Sequence, residues 1–176
     1  MRVRIAACLV VFALSGSGQI FLDEKKASEI VLRGCDRVER EEKTLTVDDR
    51  AELEKSAGLR FPALRYTFLI GRREAGLCGY AVIIEEIGKS EPITFMVGVD
   101  AEGRVSEVAL MVFRESRGAE VREPRFTRQF KGKKLESPLR VNQDIMNYTG
   151  ATLSSEAMAR GVKKALALVG HFYLKP

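Results

Sequence analysis

The sequence predicts one α+β domain, a twisted, mainly antiparallel sheet with helices packed on it and a last helix near the carboxyl end. Three observations predict it. Leu64, Tyr66, Phe68 and Ile70 alternate with Arg65, Thr67 and Leu69, the period of a strand with one buried face. Short turn signals then separate three further apolar runs, 77–87, 93–99 and 105–113, the pattern of an antiparallel meander. Beyond them, Met158, Val162, Ala165, Leu166 and Val169 form one helical stripe, with Arg160, Lys163 and Lys164 off it. A chain of 176 residues, 45% hydrophobic and 30% charged, is long enough to close a core around these elements and is not of disordered composition.

The chain divides into residues 1–18, an N-terminal helical segment 19–58, and a domain 59–176. Arg2 and Arg4 precede the apolar run Ile5 to Leu14 and the small-residue patch Ser15-Gly16-Ser17-Gly18. That order suits a secretory signal, the apolar run being short for a membrane span; a retained amino-terminal anchor is the other reading. Removing residues 1–18 takes away Arg2 and Arg4 and no acid, so the formal charge falls from +5 to +3, which is no nucleic-acid signature. The expected location is therefore outside the cytoplasm, periplasmic or at the outer face of the cytoplasmic membrane. Cys8 belongs to the apolar run. Cys35 and Cys78 remain, either as a disulfide or, the simpler expectation, as two buried thiols. With no tryptophan and one histidine, His171, there is little material for a histidine-based metal or acid–base site.

The elements follow in order. Phe21 to Leu32 reads as a short helix with Ala27, Ile30 and Val31 on its apolar side. Arg37 to Lys43 is so polar that it reads as a connector. Thr46-Val47-Asp48-Asp49 has the form of a capping box, and Gly58 suits the left-handed end of the helix it opens. Asp100-Ala101-Glu102-Gly103 is a turn. From Arg114 to Arg140 the chain is polar and basic, reading as a solvated loop with a short helix anchored by Phe126 and Phe130. The functional alternatives for that region are an acidic partner, anionic lipid head groups or a phosphate. The final helix is expected over about Ser155 to Val169.

In front of it lies Asn147 to Met158, "NYTGATLSSEAM", with four hydroxyl residues where one would cap a helix. An amino-terminal helix end beside Gly150 and Ala151 is a natural anion site, worth about 0.3–1 kcal/mol or more to a phosphate when partly buried. A threonine hydroxyl there could carry a phosphoester.

The segment from Asp144 to Ser155 resembles the flavinylation motif of the FMN-binding domain family: an upstream Asp, then Ser/Thr-Gly-Ala-Thr, then a further Ser or Thr. The resemblance extends to Gly79-Tyr80-Ala81-Val82, Ile93 to Asp100, Gly103, Val105 and Val108, to Phe113-Arg114-Glu115-Ser116-Arg117-Gly118 as a Glu-x-x-Gly loop, and to Phe126 to Phe130. It spans roughly residues 60–169. The family includes the peripheral flavin subunits of sodium-pumping NADH:quinone reductase and of the related ferredoxin:NAD electron-transport complex. It implies FMN joined through its phosphate to Thr152, with FAD as donor and a flavin transferase as the maturing partner. Thr149, Gly150 and Ala151 are then the recognition turn, Asp144 its upstream element, Leu153, Ser154 and Ser155 the start of the helix, with Ser154 or Ser155 capping it, and Glu115 a candidate contact. Glu115-Ser116-Arg117-Gly118 stands where the longer electron-transport subunits carry Glu-Thr-Pro-Gly, which favours a stand-alone carrier between a membrane redox donor and a periplasmic or extracellular acceptor. With no second catalytic constellation, a carrier is expected rather than a stand-alone catalyst. The alternative function is an exported α+β binding or interaction module without flavin.

Overall fold

A computed structural model describes residues 19–74 and 76–174; the expected signal or anchor at 1–18 lies outside them. Six antiparallel strands form one sheet: β1 (Gln19–Ile20), β2 (Arg37–Thr44), β3 (Arg65–Arg73), β4 (Gly76–Ile87), β5 (Pro92–Val99) and β6 (Val105–Phe113), in the order β1-β6-β5-β4-β3-β2. The helices are α1 (Glu24–Val31), α2 (Val47–Ala57), the one-turn α3 (Pro124–Thr127) and α4 (Thr152–Val169). The expected meander is thus β3 to β6, and the α+β class holds.

Helices cover both faces of the sheet. One face carries the larger core, in which Phe68, Tyr80, Val82, Ile84, Phe95, Val97 and Leu110 meet the α4 stripe, with Leu53 of α2 and Phe126 and Phe130 beside them. The opposite face carries Ala81, Met96, Ala109 and Met111 under Ala27, Val31 and Leu32 of α1 and its exit. β3 is therefore buried on both faces at its centre, with Leu69 inward toward α1, and the expectation of one buried face is corrected. Alternation still marks which side chain goes to which helix, because successive residues of a strand point to opposite faces.

Every residue of the predicted stripe is buried. Gly161 lets α4 approach: a Cβ there would strike the Phe95 ring and lie 2.9 Å from Ile84 Cγ2. Lys164, expected on the solvated side, is buried instead and pairs with the buried Glu86 of β4, which Arg160 Nε also reaches at 3.4 Å. The partner that makes this burial tolerable lies on another element.

The Thr46 capping box forms as expected: Asp49 N–H donates to Thr46 Oγ1 at 3.1 Å, Thr46 N–H donates to Asp49 Oδ2 at 3.1 Å, and Gly58 closes α2 in the left-handed conformation. Two expectations fail here. The stretch read as a connector is β2, pairing residue for residue with β3 from Arg37↔Arg72 to Thr44↔Arg65. It is an edge strand, whose outer face in water allows charges to stand where a central strand would need apolar groups. Cys35 and Cys78 are joined in a disulfide, Cα atoms 5.8 Å apart, which ties the exit of α1 to β4. The turn after α1 and the antiparallel register of β3 and β4 bring them together, and neither distance is written in the spacing of the two cysteines.

Candidate functional site

The site is built where three connections meet: the β4–β5 turn, the segment leaving β6, and the loop entering α4. They enclose an open cleft of about 620 Å³ lined by Lys89, Glu115, Ser116, Arg117, Gly150, Thr152, Leu153 and Ser154. The motif and the Glu-x-x-Gly segment, about 35 residues apart in sequence, form its two walls.

Helix α4 starts earlier than expected, at Thr152, with Ala151 in the cap position and no side-chain cap. Ser154 and Ser155, expected as caps, sit inside the first turn and are buried, so that expectation is corrected. The physical reason is the turn before the helix: Ala151 N–H donates to Tyr148 O at 2.9 Å, and Ser155 N–H already donates to Ala151 O at 2.8 Å. Helical pairing thus begins at Ala151, whose side chain carries no oxygen to turn back on the free N–H groups of the first turn.

Gly118 explains how the walls come so close. Its φ is +91°, and a Cβ on it would strike Ser154 Oγ and lie 3.5 Å from Ala151 Cα. A residue with a side chain would meet both the left-handed backbone and the helix. The Glu-x-x-Gly segment therefore needs its glycine for contact with α4, beyond serving as a turn residue.

Among the described residues Glu115 forms no ion pair with an arginine; it binds the β4–β5 turn instead. Its Oε1 accepts from Ser90 N–H at 2.6 Å and Glu91 N–H at 2.9 Å, and Oε2 accepts from Ser90 Oγ at 3.3 Å. Burial pushes its carboxyl up, but the N–H groups of Glu91, Ser90 and Lys89 together with the Ser90 hydroxyl outweigh that and hold it below the usual carboxylate range. It shapes the β4–β5 turn that forms one side of the cleft.

Asp144 does not line the cleft. It accepts from Lys133 Nζ at 2.8 Å and Arg140 N–H at 2.9 Å. Burial raises its carboxyl, and the Lys133 ammonium with the Arg140 and Leu139 N–H groups more than reverses that. Asp144 folds the loop at 139–145, where Leu139 and Asn142 both take positive φ. The loop is then held by Gln129, whose amide accepts from Met146 N–H at 2.6 Å and donates to Met146 O at 3.4 Å. Sequence reading placed Gln129 on the short helix without a role; its backbone-like pairing has no local signature.

Tyr80 stacks on Tyr173 at 4.5 Å within the core, and Tyr148 packs edge-on against Phe126 with the Arg125 guanidinium 4.7 Å from its ring centroid. Neither lines the cleft. His171 is a packing residue, its Nε2 3.3 Å from Asp49 Oδ1. Among the described residues no group of acids, cysteines and histidines could hold a metal, and no helix is long and apolar enough to cross a membrane.

Thr152 itself is exposed at the first helical position, Leu153 beside it is 47% exposed, and Thr149 and Gly150 form the outer turn. Asn147 Nδ2 donates to Thr152 Oγ1 at 2.8 Å. Two polar atoms here are buried without partners, Asn147 Oδ1 and Ser155 Oγ. An uncapped helix start, an exposed hydroxyl on it, an adjoining cleft and unsatisfied buried oxygens form an arrangement suited to holding a phosphorylated ligand. These features define the class: an α+β domain with an open cleft at the uncapped start of its last helix.

Residues 88–167 match the FMN-binding domain family. That match supports an FMN-binding domain over this stretch. The chain is also similar to a subunit of the proton-translocating ferredoxin:NAD(+) oxidoreductase complex of Clostridium ljungdahlii, at 32% identity over 100 residues, covering 53% of this chain and 54% of the relative. The chain thus aligns with about half the length of that curated relative. The match to the family takes in Glu115 and Thr152, which line one cleft, and Gly118, which lies against Ser154 of that cleft.

Proposed function

We propose that the protein is an exported flavin electron carrier, with FMN attached through its phosphate to Thr152 Oγ1. The observation that carries this reading is the exposed Thr152 hydroxyl at the uncapped start of α4, beside the cleft. A phosphodiester keeps one negative charge at neutral pH, and the free N–H groups and positive end of α4 would stabilise it without a dedicated lysine. Lys89 and Arg117 along the cleft add to that field.

Bound flavin supplies reversible one- and two-electron chemistry. The chain's own residues attach, orient and surround it. Gly150 and Ala151 allow close approach to the backbone, Leu153 offers an exposed apolar surface, and Glu115 keeps the β4–β5 turn in place as the opposite wall. The buried Ser155 hydroxyl is the candidate for polar contact with a group held at the helix start. The family match supports this reading over the other function considered, an exported binding module without flavin.

The partners in this reading are a flavin transferase that uses FAD, a membrane redox donor and a periplasmic or extracellular acceptor. The basic start and apolar run of residues 1–18 support export. Similarity to a component of a ferredoxin:NAD(+) oxidoreductase complex supports electron transfer as the task. Co-expression with a flavin transferase, followed by intact mass measurement, tests the reading. Wild type should gain the mass of FMN less one water and Thr152→Ala should gain nothing; an alanine variant that stays yellow and heavy moves the acceptor to Thr149.

A further inference from the structure

We propose that Asn147 is the positioning residue for the Thr152 hydroxyl, holding it for phosphoester formation and holding the ester oxygen afterwards. The proposal rests on Thr152 as the attachment residue and assigns how this chain presents it.

Asn147 sits at the start of the turn before α4, and its side chain crosses that turn to Thr152. An asparagine at the cap position accepts from a free N–H of the first turn, but Asn147 lies before that position, which Ala151 holds. Its Nδ2 donates to Thr152 Oγ1 at 2.8 Å, while its Oδ1 is buried with no partner. Ala151, in the cap position of α4, gives it no side-chain cap. A contact that leaves the donor's own oxygen unsatisfied is a poor way to stabilise a loop, and an unsatisfied buried group calls for a reason outside local stability. The reason available at this place is the hydroxyl that the contact holds.

The direction of the hydrogen bond fits the chemistry. In the transfer, Thr152 Oγ1 bonds to the phosphorus that carries the flavin. The phosphoanhydride P–O bond of the flavin dinucleotide breaks and AMP leaves with the bonding pair. The hydroxyl proton passes to a base of the transferase or to solvent. A partner that accepted the threonine's hydrogen would lose its contact at that moment. An N–H that donates to a lone pair keeps it, because the ester oxygen can still accept. Without Asn147, an exposed threonine at the first helical position is free to turn about χ1 among its staggered rotamers. Fixing one of them raises the fraction of encounters with the oxygen correctly placed, and misplacement of a reacting atom by about 1 Å can cost roughly a hundredfold in rate.

The test is single-turnover labelling of the full chain by a flavin transferase with FAD, followed by intact mass, with melting curves of the unlabelled proteins alongside. Asn147→Leu keeps the approximate shape, removes the donor and removes the unpaired oxygen. It should label about ten- to a hundredfold more slowly at saturating acceptor, with little change in the acceptor concentration giving half-maximal rate. Its melting temperature should equal or exceed that of wild type, which separates positioning from structural support. Asn147→Ala should be equally slow. In labelled samples of either variant, flavin fluorescence anisotropy should fall, reporting a looser linkage. Labelling of Asn147→Leu at the wild-type rate overturns the proposal while leaving Thr152 as the attachment residue. Wild type that never gains flavin on Thr152 removes both.

Discussion

Helices α2 and α4 begin in opposite ways. At α2, Thr46 and Asp49 exchange hydrogen bonds, and the helix start is complete within four residues. At α4, four hydroxyl residues stand near the start and none caps it: Ala151 holds the cap position, Ser154 and Ser155 are buried inside the first turn, and Thr152 faces outward. The first end is finished for stability, whereas the second leaves its N–H groups and its positive end available. Hydroxyl residues near a helix start therefore do not by themselves signify a cap; the backbone position at which helical pairing begins decides what they do. A helix can leave its end open in this way when its body is held elsewhere, and α4 is held along its whole stripe, from Met158 to Val169.

That dependence can be broken first. Val162, fully buried in the stripe, should not tolerate a charge: Val162→Asp should destabilise by on the order of 3–5 kcal/mol, measured as a shift of the urea or thermal midpoint. The open helix start should then lose its labelling along with its fold. An unchanged midpoint would mean that the body of α4 does not support its open end.

Next, Thr46→Ala should cost about 1 kcal/mol by removing the cap of α2, while flavin labelling stays at the wild-type level. Thr152→Ala should show the reverse, with little change in stability and no labelling. Similar behaviour of the two threonines would erase the distinction between the helix ends.

The smallest expected effect sharpens the comparison most. Leu153 is exposed in the first turn of α4 and lines the cleft. Leu153→Glu should stabilise the unlabelled protein by about 0.3–1 kcal/mol, because a negative charge favours a helix start. The same charge should slow labelling by repelling the incoming phosphate. A variant that gains stability without losing labelling would argue that α4's open end is not the phosphate site.

Much of the fold could be read from residues whose signals are local. The period-two run at Leu64 to Ile70, the capping box at Thr46, the left-handed Gly58 and the stripe of α4 each needed only neighbours in sequence. The site was legible in its parts: the motif around Thr152 and the Glu115–Gly118 segment both stood out, and the fold puts them on facing walls of one cleft. What could not be read was how they meet. Gly118 lies against Ser154, Glu115 turns to the β4–β5 turn, Asp144 turns away to Lys133, and Asn147 reaches Thr152; none of these pairings follows from sequence spacing.

By itself, then, the sequence determined the α+β class, the order of the central strands, the stripe that buries α4 and the two segments that wall the cleft. These depend on periodicity, turn chemistry and capping, whose physics acts within one turn or one strand. Tertiary structure alone decided that the charged stretch 37–44 is an edge strand, because only the open side of β3 offers it partners. It decided that Cys35 and Cys78 join, that Lys164 lies buried on Glu86, and that α4 opens uncapped at Ala151. Each of these depends on a group brought near by packing, and burial and pairing energies are set by such neighbours rather than by position along the chain.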